Sequence, residues 1–149
     1  MTESESKTAY CGLYCSDCIP SNRAFFESVR ALQRQLEELG FEHYATLKKN
    51  NVALRNYNVF ATVLDEIARM QCSGPCREGG GNSACHVRTC CVSKGYAGCW
   101  ECAGFRECDL LQPLRDFHGE NIIDNLEMIR RYGPAEWSER RGKHYPWSS

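Results

Sequence analysis

Eight cysteines fall within the 37 residues from Cys72 to Cys108, CSGPCREGGGNSACHVRTCCVSKGYAGCWECAGFREC. This segment is rich in glycine and shows no sustained hydrophobic period. It therefore cannot build an apolar core unaided, and something else must offset the entropy of ordering it. Three more cysteines stand near the amino terminus in CGLYCSDC, Cys11 to Cys18. The total of eleven is odd, so the thiols cannot all pair. The leading MTESESKTAY has no basic n-region and no apolar run, and no later stretch is long enough to span a bilayer. These features place the chain in the cytoplasm. There, thiols stay reduced, and cysteines at short spacings serve metals rather than disulfides.

Two cysteines separated by two residues can hold one metal, because a tight turn brings both sulfurs to one side, and two such pairs complete a tetrahedral S4 site. The pairs Cys15 and Cys18, and Cys99 and Cys102, have this spacing. Cys72 with Cys76 and Cys85 with Cys90 are looser pairs. Eight thiolates suit two closed zinc sites. The grouping preferred from spacing puts Cys72, Cys76, Cys85 and Cys90 on one ion and Cys15, Cys18, Cys99 and Cys102 on the other. A cross-braced exchange of neighbouring pairs uses the same residues. Cys11 and Cys108 remain as spare or substitute ligands. Cys91 is read as a non-ligand, since adjacent side chains in an extended segment diverge.

The surplus over eight is the argument for the alternative, an iron–sulfur protein with an electron-transfer or accessory redox role in anaerobic metabolism. Cys11, Cys15 and Cys18 would then hold three corners of a [4Fe–4S] cluster, and a distant cysteine such as Cys108 the fourth. The same spacing occurs in radical S-adenosylmethionine enzymes, but 149 residues are too few for the half-barrel those enzymes build around the cluster.

Between the two cysteine groups the pattern is helical. Phe25, Phe26, Val29, Leu32, Leu36 and Leu39 recur at three- and four-residue intervals up to Gly40. A short helix is expected between Phe41 and Lys49, and Tyr57, Phe60, Val63, Leu64, Ile67 and Met70 define a further one. After Cys108, Leu110, Leu111, Leu114 and Phe117 read as core. Ile122 to Tyr132 reads as a helix closed by Gly133, and Pro134 opens a small helix carrying Trp137. The expected fold is mainly α with an irregular cysteine-rich loop region organised by metal, a small α+β arrangement being the alternative. Residues 1–149 form a single domain in this reading. Its ligand groups, 11–18 and 72–108, are joined by a helical segment, 22–70, and followed by a helical region, 109–140.

Other chemistries find little support. With 18 basic against 19 acidic residues, there is no global field to attract nucleic acid or an anionic membrane. The basic run Arg140-Arg141-Gly142-Lys143-His144 reads as a solvated tail beside the exposed aromatics Tyr145 and Trp147. The histidines His43, His86, His118 and His144 are scattered and form no HxxxH or HxE pair, although His86 could substitute for Cys85. No P-loop, nucleophile elbow or dinucleotide fingerprint is present. Because all-sulfur sites are usually structural, the reading leans away from an enzyme. It favours a binding or adaptor module; Tyr96, Trp100 and Phe105 either meet a protein partner or simply cover the metal sites.

The phrases CGLYCSDC, CSGPC, CHVRTC, the Lys94-Gly95 pair and CWECAGFREC followed by Leu110 resemble a bacterial and archaeal cysteine-rich family catalogued as domain of unknown function 3795. The resemblance runs from Cys11 to about Trp137. That family is described as zinc-binding by inference from its cysteines. The resemblance thus implies metal at Cys11, Cys15, Cys18, Cys72, Cys76, Cys85, Cys90, Cys99, Cys102 and Cys108. Two departures are Cys91, where the family has a small residue, and the longer insert REGGGNSA before Cys85.

Overall fold

A computed structural model describes residues 1–142 and 145–147, so Lys143 and His144 of the basic run lie outside the described residues. The protein is mainly α, with 63% helix. Seven α-helices run in the order α1 (Glu3–Lys7), α2 (Arg23–Glu38), α3 (Phe41–Leu47), α4 (Tyr57–Arg69), α5 (His86–Ser93), α6 (Gln112–His118) and α7 (Asn121–Tyr132). Among the described residues there is no strand. An isolated antiparallel bridge joins Thr8 and Tyr14. Among the described residues no helix is long and apolar enough to cross a membrane.

The chain forms two compact units, Met1–Ser21 with Cys72–Ser149, and Asn22–Gln71. The second contains no cysteine. Its α2 is capped by the Asn22 side chain, which accepts from the Phe25 amide at 3.0 Å. Helices α2 and α4 pack together, with α3 against both. Phe26, Val29 and Leu64 are buried.

The first unit carries all eleven cysteines, and its core is built by long-range packing. Ile122, Ile123, Leu126 and Ile129 of α7 are buried with Leu111 and Trp137 from the same half. From the cysteine-rich segment they meet Val87, Cys91, Cys99, Trp100 and Phe105, and from the amino terminus Ala9, Cys11 and Tyr14. Trp137 is fully buried. Its indole N–H donates to Thr8 Oγ1 at 2.8 Å, and its ring meets Tyr14 edge-on at 5.7 Å between centroids. Helix α1 was not legible in the hydrophobic pattern, but its capping box was present as Thr2-x-x-Glu5. The Thr2 hydroxyl accepts from the Glu5 amide, and the Glu5 carboxylate accepts from the Thr2 amide.

Burial corrects several expectations. Trp100 and Phe105, expected on a contact surface, are 6% and 2% exposed. Phe117, expected in the core, is 65% exposed, and Leu110 is also exposed. The 3-10 turn Asp109–Leu111 buries Leu111 and leaves Leu110 outside. Tyr145, expected outside, is buried, and its hydroxyl accepts from the Tyr14 amide at 3.3 Å.

The tail is held by Arg141. Its guanidinium forms a two-pronged pair with the Asp17 carboxylate, both contacts 2.6 Å, and lies over the Tyr14 ring at 4.2 Å. A fork meeting a carboxylate in a part-buried place is among the stronger ion pairs. Replacing Arg141 with Ala is expected to cost about 2 kcal/mol and lower the melting temperature by about 5 °C. Arg141→Lys should recover only part of that in the same thermal melt, because an ammonium cannot form the fork.

Candidate metal centre

The close cysteine pairs fold into the same local shape. Cys15–Asp17 and Cys99–Glu101 are single 3-10 turns, and the amide of the following cysteine donates back to the first cysteine's carbonyl. The distances are 3.1 Å from Cys18 to Cys15 and 3.0 Å from Cys102 to Cys99. A turn this tight puts both side chains on one side, as the two-residue gap requires. Cys76–Glu78 is a third such turn, and Phe105–Glu107 delivers Cys108 from a fourth. All eleven thiols are free. Cys11, Cys91 and Cys99 are buried, and Cys18 is exposed.

The tertiary structure ties the amino-terminal pair to the second cysteine group through the backbone, where the Cys72 amide donates to the Pro20 carbonyl at 2.8 Å. Cys15 is raised in pKa chiefly by burial, with the sulfurs of Cys76 and Cys72 adding to the rise. Cys18 is raised by burial and then by Cys15 and Cys72. The Gly81 amide donates to Cys72 Sγ at 2.9 Å.

The remaining pair faces elsewhere. Cys90, Cys91, Cys99, Cys102 and Cys108 line one cavity of about 40 Å³, closed by Val87, Tyr96, Phe105 and Leu110. No histidine or carboxylate borders it, and its charged neighbour is Lys94. The Lys94 ammonium is raised in pKa chiefly by the sulfurs of Cys90 and Cys102.

Helix α5 separates Cys85 from Cys90. Cys85 caps its amino terminus in an extended conformation, accepting from the Arg88 amide at 3.5 Å, while Cys90 lies inside the helix five residues on and lines the cavity. The buried Cys11 thiol is pushed up to about 12 by loss of water, with Cys76 and Cys85 adding to the shift.

Cys91 is also placed by the helix, a full 100° from Cys90. It is buried with its sulfur 3.6 Å from Cys99 Sγ. Either thiol can donate in this pair, and the contact raises the pKa of Cys99 and lowers that of Cys91. Cys91 therefore lines the cavity, and its reading as a bystander rested on an extended segment that does not exist.

Three arginines that spacing arguments passed over hold this scaffold. Arg88 spans the insert REGGGNSA, donating to the carbonyls of Cys76, Gly80, Asn82 and Ser83 at 2.9 to 3.2 Å. Gly80 packs on Gly74 so closely that a Cβ would stand 1.7 Å from the Gly74 carbonyl oxygen, which accounts for one of the insert's glycines. Arg77 donates to the carbonyls of Thr8 and Ala97, both at 2.7 Å, and lies over Tyr10. Arg130 donates to the carbonyls of Trp100 and Cys102. A long side chain donating to scattered carbonyls leaves no trace in sequence periodicity.

Among the described residues no histidine borders the cavity. His43 and His86 are exposed, and His118 is half-buried among aromatic rings, where loss of water lowers its pKa. His144 lies outside the described residues. Among the described residues no three Cys, His, Asp or Glu side chains are disposed, as they stand, to hold a metal ion. The donor chemistry nevertheless fits one. Five soft sulfur donors line the cavity, no histidine or carboxylate borders it, and a backbone amide points at the Cys72 sulfur.

The model of the family described as protein of unknown function, DUF3795, matches residues 7–113. The chain belongs to this family. The DUF3795 match spans every one of the eleven cysteines as well as helices α2 to α5, and it stops where α6 begins. No curated protein and no solved structure matches the chain.

Proposed function

We propose that this DUF3795 protein is a zinc-binding module of a reducing compartment, whose metal ions have a structural role and whose activity is to bind a partner. One site would draw on Cys15, Cys18, Cys72 and Cys76, the other on Cys90, Cys99, Cys102 and Cys108. Cys11, Cys85 and Cys91 would stand beside them as reserve thiols. The observation that carries this reading is the small cavity lined by five cysteines and by no histidine or carboxylate. Four thiolates around one zinc leave no open coordination position, and catalytic zinc needs one. When bound, the ion supplies cross-links between segments distant in sequence. Lys94 offsets part of the negative charge of a four-thiolate site, and the backbone donors steady the sulfurs.

Metal, iron and acid-labile sulfide are to be counted on protein purified without oxygen, together with an optical spectrum. About two zinc ions per chain and no absorption near 400 nm are expected. The double variant Cys99→Ser/Cys102→Ser should then retain about one. Iron with sulfide and a brown colour would replace this reading with the iron–sulfur one. Protein that holds no metal at all would end both.

A further inference from the structure

The cysteine-free unit carries a feature that metal does not explain. Phe25, Leu32 and Leu39 recur every seven residues along α2, and each is between 40% and 74% exposed. At 3.6 residues per turn they fall within about 40° of arc. They lie inside a sector of roughly 260° that contains none of the helix's charged residues. Helix α4 repeats the pattern. Phe60, Val63 and Met70 at its end are 45% to 56% exposed, in a sector of roughly 260° free of polar residues.

Both stripes lie on one side of the helix pair. The polar contacts between α2 and α4, from Gln33 to Asp65 and from Arg30 to Gln71, mark one flank. Helical geometry puts the two apolar stripes on the opposite flank.

We infer that this face is a homodimer interface, on which the α2–α4 pair of a second copy packs to complete a four-helix bundle. Three observations point to that occupant. A seven-residue repeat is the spacing that packs helix against helix at a shallow angle of about 20°. The six named side chains leave on the order of 500 Å² of apolar surface uncovered. That is roughly the apolar share of a standard interface of about 800 Å² per partner. A face without charge offers nothing by which to select an acidic or basic partner, whereas a two-fold axis pairs it with its equal. The polar side of α2 balances three arginines against three glutamates, unlike the basic flank of a helix that lies on an anionic membrane. The inference is independent of the metal reading, since residues 22–71 contain no cysteine.

Sedimentation equilibrium on the full metal-loaded chain, from about 1 to 200 µM, tests it. The expected particle is a dimer of twice 17.0 kDa, 34.0 kDa. Leu32→Glu with Phe60→Glu should weaken association by about 100-fold or more with unchanged circular dichroism, because it buries unpaired charges. Arg34→Glu, on the charged side of α2, should leave the dimer intact. A monomer throughout the range would overturn the inference. So would a dimer that survives the double variant, dissociation by Arg34→Glu equal to that of the double variant, or flotation of the monomer with anionic vesicles.

Discussion

Stripping the metal with a strong chelator is expected to collapse the cysteine-bearing unit. Each structural zinc site in a small domain contributes on the order of 10 kcal/mol to folding, because the unfolded chain has no preformed site. Ordering the 37 residues from Cys72 to Cys108 costs about 1 to 2 kcal/mol of backbone entropy per residue, and α5 is the one α-helix within them. Yet this segment supplies Val87, Cys91, Cys99, Trp100 and Phe105 to the core. When it lets go, α7 loses the surface it packs on. Near-ultraviolet circular dichroism from Trp100 and Trp137 should vanish, and the melting temperature should fall by about 20 °C or more. Part of the far-ultraviolet helical signal should survive in residues 22–71, which hold no cysteine. A demetallated protein that keeps its aromatic signal and melts within a few degrees of the loaded one would defeat the structural-zinc reading.

Trp137→Ala is expected to cost about 3 to 5 kcal/mol, which lowers the melting temperature by about 10 °C in a chain of this size. The indole is fully buried and joins the carboxy-terminal region to the amino-terminal segment, meeting Tyr14 edge-on and donating to Thr8 Oγ1. Truncation leaves a cavity and deprives the buried Thr8 hydroxyl of its donor, although that hydroxyl still donates to the Ser4 carbonyl at 2.6 Å. Trp137→Phe should fall between wild type and Ala, since it keeps most of the volume and loses the N–H. Thermal melts and metal counts on both variants separate the effects. The metal count should be unchanged in the melted-down but still folded Ala variant. A melting temperature within about 2 °C of wild type would show that the packing around Trp137 carries little of the stability.

Some of these features were legible from spacing alone. The stripes through Phe26, Val29 and Leu64 and through Ile122, Leu126 and Ile129 gave α2, α4 and α7 directly, because burial on one face imposes a 3.6-residue period. Gly133, with φ of +79°, ends α7 where expected. Helix α5 escaped because HVRTCCVS has neither a clear apolar stripe nor a familiar cap, since a cysteine sulfur takes the capping role. Its one available signal was Lys94-Gly95 at its end, where Gly95 takes a φ of +68°. Trp100 was misread as exposed because an aromatic in a loop-like, polar stretch carries no local sign of what will cover it.

The amino-acid sequence alone determined the local units of this protein. The apolar periods specify the long helices, and the two-residue gaps at Cys15 and Cys99 specify tight turns, since both depend on neighbours within a few residues. Only the tertiary structure decided which segments meet. The Cys72 amide pairs with the Pro20 carbonyl and so ties the two cysteine groups together. Cys90 and Cys91 of α5 line one cavity with Cys99, Cys102 and Cys108. Such contacts join residues tens of positions apart, and their strength lies in packing and in arginine-to-carbonyl bonds that no local spacing encodes.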